Sequence, residues 1–251
     1  MVTTEGRGIQ GDNDRDNATR ELVKITQGGT DARGFAGVIG TLASSAKSAG
    51  TVAVTSGRWL VDLAIDLAGQ LPVRTLEELQ AEHPGMSRDE LAEELTRDAA
   101  KTTGAIGAVA GGLAAASWFA PPTWVAAPLE LITETLAVAA VEMRLIGELH
   151  SAYGRPLLLT GPERAAALAH AWARGAAVEP EHLTQSPTTA DLLTAGAKRQ
   201  LSRGLRRRLA RRAGRNAASL LPFMVGAAAG AKLNHGATSK LGDAVRHDLS
   251  R

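Results

Sequence analysis

The sequence predicts an all-α fold: a single compact helical domain with Gly/Ala-rich apolar helices and a helical hairpin, preceded by a disordered N-terminal tail. Hydrophobic residues make up 44% of the 251-residue chain but aromatic residues only 3%, so we expect a core of Ala, Leu and Val. Ala, Leu, Glu and Arg, which favour helix, are frequent, whereas the β-branched and aromatic runs typical of strands are rare. A chain of this length is long enough to bury one large core.

The N-terminal 30 residues differ in composition from the rest of the chain. Residues 1–30 are polar and rich in Gly, Asn and Asp without an apolar period, so they are predicted to be the disordered tail. The helical domain is then expected to span residues 31–251. A small-residue stretch at 35–50 predicts its first helix. The next helix is predicted to end at Pro72 and is marked by apolar residues at helical spacing: Trp59, Leu60, Leu63, Leu67 and Leu71.

The clearest helix start lies in the middle of the chain. Ser87 is followed three residues later by Glu90, which is the spacing of a capping box, and Leu91 and Leu95 supply a buried face. The preceding His83-Pro84-Gly85 predicts a turn. A helix is therefore expected to begin near Ser87.

An uncharged stretch of 28 residues runs from Thr102 to Leu129 and is interrupted by Pro121-Pro122. Because two prolines end a helix, a hairpin is predicted over Gly104–Val138, with arms at 103–119 and 124–150. Three aromatic residues are expected at its tip: Trp118, Phe119 and Trp124. The tip is predicted to dip into a membrane, with a hairpin buried in a soluble core as the alternative.

Two pairs of glycines are spaced by four residues within the Gly/Ala-rich segments. They are Gly107 with Gly111 and Gly226 with Gly230. Small residues at this spacing allow a neighbouring backbone to approach closely. The two segments are therefore expected to pack helix against helix.

The strongest interaction signal is a basic segment. Residues 198–215 contain nine Lys or Arg and no Asp or Glu, whereas the remaining chain has a net charge of −7. Leu201, Leu205 and Leu209 recur every four residues, so a cationic amphipathic helix is predicted, with its Leu face inserting shallowly into an anionic bilayer surface. The arginines expected to bind anionic lipid are Arg203, Arg206, Arg207, Arg208, Arg211 and Arg212. Nucleic-acid phosphate is one alternative, disfavoured because no aromatic residues are interleaved, and a solvated helix paired with the acidic body is another.

No residue pattern in the chain identifies a reaction. Without cysteine there is no disulfide framework, thiolate nucleophile or Cys-based zinc site, and a reducing, cytoplasmic location is expected. The chain has no Gly-x-Ser-x-Gly motif, and its six His are scattered and interpreted as surface or turn residues. Glu130 and Glu134 are interpreted as a solvated stripe or as partners of an arginine. No catalytic residue, metal site or cofactor is predicted, although an intracellular enzyme of unknown substrate remains an alternative.

Three stretches resemble the EcsC family of bacterial proteins: residues 83–112, 120–154 and 221–249, the last preceded by the Arg-rich helix. The resemblance covers about residues 50–251. It implies a largely helical bacterial protein whose family takes its name from a gene neighbouring an ABC transporter linked to secretion, and whose molecular activity is not established. Together with the basic helix and the hairpin, it predicts a non-enzymatic protein peripheral to the inner face of the cell membrane. A protein partner of unknown identity is a further expectation.

Overall fold

A computed structural model describes residues 4–28, 31–117, 126–157, 159, 161–178, 195–218 and 224–251. Every regular element within these ranges is a helix, which confirms the predicted fold class. The helices are α1 (Thr4–Gly28), α2 (Ala32–Ala49), α3 (Thr51–Thr55), α4 (Arg58–Gln70), α5 (Leu76–Glu82), α6 (Arg88–Ser117), α7 (Ala126–Ala152), α8 (Gly161–Arg174), α9 (Ala195–Ala218) and α10 (Met224–Leu249).

The capping box predicted at the start of α6 is present. The Ser87 N–H donates to Glu90 Oε2 at 2.8 Å, and Ser87 Oγ accepts from the Glu90 N–H at 3.4 Å. These contacts satisfy two backbone donors that the first turn would otherwise leave free. Thr75 and Glu78 form a second capping box at the start of α5, which the sequence analysis did not identify.

The prediction of a disordered tail over residues 1–30 is wrong for residues 4–28, which form α1. Its second half packs against α2, α4 and α7 and buries a narrow apolar stripe: Ala18, Leu22 and Ile25. Gln70 of α4 also donates to Asp16 of α1 at 2.7 Å. This apolar stripe is only one residue wide, so the segment as a whole is polar and its sequence shows no clear apolar period. The helical bundle therefore begins within α1.

The long helix α7 occupies the centre of the bundle. It contacts α1, α2, α4, α5, α6, α8, α9 and α10, and residues 135–143 are buried without interruption. Most of these residues are Ala, Val or Leu, and small side chains allow several helices to pack around one axis. The central position of α7 brings its few charged residues into the interior.

The helices α6 and α7 pack together as the two arms of the predicted hairpin. Residues 118–125, with Pro121-Pro122 and the tip residues Trp118, Phe119 and Trp124, lie outside the described residues. In the part of the chain that the structure describes, none of the helices combines the length and the apolarity needed to cross a bilayer.

The helices α6 and α10 form the most extensive helix pair and run antiparallel. Thr96 lies against Gly242, Thr103 bonds Thr238 and Gly107 meets Gly230. A Cβ atom built on Gly107 would lie 2.3 Å from the Gly230 carbonyl oxygen, so the backbones touch directly. This geometry agrees with the predicted close approach at Gly107 and Gly230. No contact is described for Gly111 or Gly226, whose close packing stays a prediction.

Candidate functional site

The basic helix α9 packs on α4, α7 and α8 through its apolar face. Leu201 and Leu205 are 3% and 1% exposed, and Leu209 packs against the core. Gly204 lies so close to Ala173 that a Cβ atom built on it would be 3.1 Å from the Ala173 Cβ. The expectation that the Leu face inserts into a bilayer is therefore wrong, because this face is already covered by protein.

Arg208 was predicted to bind anionic lipid, but its side chain turns inward and contacts Glu142 and Trp172 instead. Its Nη1 donates to Glu142 Oε2 at 2.7 Å, and its Nη2 donates to the Trp172 carbonyl at 3.3 Å. The guanidinium carbon stands 4.2 Å from the centroid of the Trp172 ring, which is cation–π geometry. A cation held by three such contacts is not available to an external anion.

Glu142 of α7 is completely buried and is the centre of this network. Besides Arg208, its carboxylate accepts from Trp172 Nε1 at 2.7 Å and from Thr238 Oγ1 at 2.9 Å. Thr103 Oγ1 in turn donates to Thr238 Oγ1 at 2.9 Å. A buried charge is tolerated only when it is paired and hydrogen-bonded, and these contacts meet that condition. One carboxylate thus links α6, α7, α8, α9 and α10.

Arg206 is exposed but also has a structural contact. Its Nη2 donates at 2.9 Å to the carbonyl of Ser56, at the C-terminal end of α3. The guanidinium stands beside Gly57, whose φ of +76° is in the left-handed region that favours glycine. Replacing Arg206 would disturb this turn as well as any external contact.

The remaining described arginines of α9 form a row on the outer side of the helix. Arg199, Arg203, Arg207 and Arg211 are spaced by four residues, and all four are exposed. We call these four residues the arginine stripe. Within the described residues none of them forms an ion pair, and the side chain of Arg212 lies outside the described part. Arg199 was not singled out in the sequence because it precedes the three leucines that define the apolar face.

Like charges at this spacing oppose helix formation by a few tenths of a kcal/mol per pair. The segment 198–215 contains no acidic residue that would offset the repulsion. Successive members of the stripe are about 6 Å apart along the helix axis. The stripe is therefore a concentrated positive surface held in place by a helix whose opposite face is buried.

The other charged residues of α7 hold the bundle together. Glu148 accepts from Arg74 through both oxygens at 2.8 Å, and from Arg144 at 2.7 Å. The hydrogen bond and charge of Glu148 raise the pKa of the Arg74 guanidinium above its usual range. Glu134 accepts from the buried amide of Asn234 at 2.8 Å, and burial raises the pKa of half-buried Glu130. The interpretation as a solvated stripe therefore fails for Glu134, which accepts from a buried amide, whereas pairing of either residue with an arginine stays a prediction.

His150 is also buried, contrary to its interpretation as a surface or turn residue. Its Nε2 accepts from the Val178 N–H at 3.0 Å, which leaves Nδ1 to donate to the Arg155 carbonyl at 3.2 Å. Burial lowers the pKa of His150 to about 4. The neutral ring thus fixes two connecting segments to the end of α7, and this contact is structural.

No family model, curated protein or solved structure matches this chain. The resemblance to the EcsC family therefore stays a hypothesis.

Proposed function

We propose that this chain is a non-enzymatic protein that binds the anionic surface of the cytoplasmic membrane through the arginine stripe. The observation that supports the proposal is the exposure of Arg199, Arg203, Arg207 and Arg211 on a helix whose apolar face is buried. Each basic residue near an anionic bilayer contributes about 1 kcal/mol. Four of them supply roughly 4 kcal/mol, or about a thousandfold in partitioning.

Binding of this kind is electrostatic, because Leu201 and Leu205 are occupied in the core. Charges at the surface are screened over a Debye length of about 8 Å at physiological ionic strength. Raising the salt concentration should therefore release the protein. The resemblance to the EcsC family is consistent with a location at the inner face of the membrane, and it adds a link to transport or secretion to the proposal.

Sedimentation with lipid vesicles tests the proposal. The protein should sediment with vesicles containing phosphatidylglycerol, should not sediment with pure phosphatidylcholine vesicles, and should be released by salt. A variant carrying Arg203→Glu, Arg207→Glu and Arg211→Glu should bind at least about a hundredfold more weakly, since three favourable charges become repulsive.

The matched control reverses three exposed basic residues outside the stripe: Arg33, Lys47 and Lys240, each replaced by Glu. This variant changes the net charge by the same amount but leaves the arginine stripe intact, so it should retain most of the binding. An equal loss in both variants would show that net charge, not the stripe, determines binding. Salt-sensitive binding to DNA without binding to vesicles would overturn the proposal in favour of a nucleic-acid-binding protein.

A further inference from the structure

We infer that the corner of the bundle at residues 50–58, between α2 and α4, is a second membrane contact, which places the side chain of Val52 in the interface of the bilayer that the arginine stripe binds. We call these residues the α3 corner. This inference rests on the proposed function and adds an apolar contact to it. The partner is the same anionic lipid surface, and the corner supplies a part of the binding that does not depend on charge.

The α3 corner is built around a short helix between two glycines. Gly50 has a φ of +83° and Gly57 a φ of +76°, both in the left-handed region, so the chain turns sharply before and after α3. Ala53 is buried and attaches α3 to the bundle, whereas Val52 is 78% exposed. The Ser56 N–H donates to the Val52 carbonyl at 3.1 Å. A closed helical turn therefore holds the Val52 side chain outside the bundle.

The exposure of Val52 has no structural purpose in the bundle itself. Among the described residues, the other exposed large apolar side chains are Met86 at 39% and Leu233 at 42%, so Val52 is by far the most exposed. At 78% exposure a side chain contributes almost nothing to the core. Its neighbours Thr51 and Thr55 are exposed too, and each combines a methyl group with a hydroxyl. Side chains of this kind are compatible with the headgroup region of a bilayer.

The α3 corner is attached to α9 beside the arginine stripe. Arg206 Nη2 donates at 2.9 Å to the carbonyl of Ser56, which lies one helical turn from Val52. With 3.6 residues per turn, Arg199 and Arg203 project within about 60° of Arg206 around the axis of α9. The corner therefore borders these two members of the stripe, and the hydrogen bond fixes the corner to the helix that carries them.

The charge at the α3 corner suits an anionic surface. Residues 32–61 contain no Asp or Glu, and Arg58, at the start of α4, is exposed. Asp62 lies 3.7 Å from Lys198, so its charge is offset, and Asp14 of α1, which accepts from the end of α2, marks the acidic border. Peripheral membrane binding combines burial of apolar side chains with attraction of basic residues to anionic lipid. An exposed valine beside a row of arginines supplies both, which favours a membrane over a protein partner.

Sedimentation with phosphatidylglycerol vesicles measures the contribution of Val52. Val52→Ser should weaken binding by about three- to tenfold, because removing a valine side chain from water corresponds to roughly a factor of ten. Val52→Trp should strengthen binding and raise the salt concentration at which half of the protein is released, since indole rings favour the bilayer interface. Neither change alters the charge of the protein, so neither acts through the stripe.

Met86→Ser is the matched control. Met86 is 39% exposed and lines a groove with Tyr153, at the end of α7. Arg74, which follows α4, bonds Glu148 in the same part of α7, whereas the α3 corner precedes α4. The 13 residues of α4, about 20 Å in length, thus separate Met86 from the corner. This substitution should leave vesicle binding unchanged.

The absence of native cysteine allows a direct measurement at single sites. Val52→Cys and Met86→Cys are each labelled with the fluorophore NBD and mixed with phosphatidylglycerol vesicles. The label at residue 52 should shift its emission to the blue and become protected from an aqueous quencher, and the label at residue 86 should do neither. The shift should disappear when Arg203→Glu, Arg207→Glu and Arg211→Glu are added, because the protein then stays in solution.

Two results would each overturn this inference and leave the proposed function standing: binding of Val52→Ser within about twofold of the wild type, or a label at residue 52 that stays in water on sedimented protein. A blue shift at residue 52 that grows with protein concentration in the absence of vesicles would assign the corner to contact between two copies, and would also overturn it. Absence of sedimentation by the wild-type protein would overturn the proposed function and this inference with it.

Discussion

Replacing Glu142 by leucine should strongly destabilise the protein, although the change brings an apolar residue into an apolar interior. The substitution leaves Trp172 Nε1, Thr238 Oγ1 and the Arg208 guanidinium without their common acceptor. Breaking a buried ion pair by removing one partner costs about 3–5 kcal/mol, because the other charge stays buried. The loss is a large fraction of a total stability that is typically about 5–15 kcal/mol.

The double variant Glu142→Leu with Arg208→Met separates the charge from the other contacts. With the orphaned cation removed, most of the lost stability should return, because apolar replacement of a whole buried pair is often nearly neutral. The indole N–H of Trp172 still lacks its partner, which leaves a deficit of about 1–3 kcal/mol. The single variants and the double variant together complete a double-mutant cycle.

Urea denaturation followed by circular dichroism measures each free energy of unfolding. Arg207→Met is the matched control, since Arg207 is an exposed neighbour on the same helix and should change stability by less than about 0.5 kcal/mol. A Glu142→Leu variant within about 1 kcal/mol of the wild type would refute the reasoning. Failure of Arg208→Met to restore stability would show that the cation is not what makes the loss large.

Two further predictions concern packing and pH. Gly107→Ala should destabilise the protein by about 1–3 kcal/mol in urea denaturation, since its Cβ would meet the Gly230 carbonyl oxygen at 2.3 Å. Gly112→Ala, whose Cβ would meet nothing within 4 Å, should stabilise the protein by up to about 1 kcal/mol. Equal effects of the two substitutions would contradict the close contact at Gly107. For His150, burial lowers the pKa from 6.5 to about 4, so the unfolded chain takes up the proton first as the pH falls. The contribution of neutral His150 to the free energy of unfolding should be fully present above about pH 6.5, and the free energy should decrease by up to about 1.4 kcal/mol per pH unit toward pH 4. This decrease should be smaller in His150→Gln and unchanged in His235→Gln, the control at an exposed site.

Helix starts were predictable because they depend on neighbours in the sequence, and the close approach at Gly107 and Gly230 was predictable because it depends on the type of the residue itself. The Ser87 and Glu90 capping box involves two residues three positions apart, and it places the start of α6 correctly. Gly107 and Gly230 were identified because a missing side chain is itself the property that allows close approach. The helix α1 was not predicted because its narrow apolar stripe stabilises a helix only when α2, α4 and α7 cover it.

The candidate site shows the same division. The sequence by itself determined that α9 is a basic helix with one apolar face, because charge and periodicity are properties of the chain. The sequence also indicated that Arg208 lies on the leucine face, because it follows Leu201 by seven residues, or nearly two helical turns. Only the tertiary structure decided that Glu142 is there to receive Arg208, and that the leucines pack on protein instead of lipid. The physical reason is that the partner of a buried charge comes from a distant helix, so its identity depends on how the whole bundle packs.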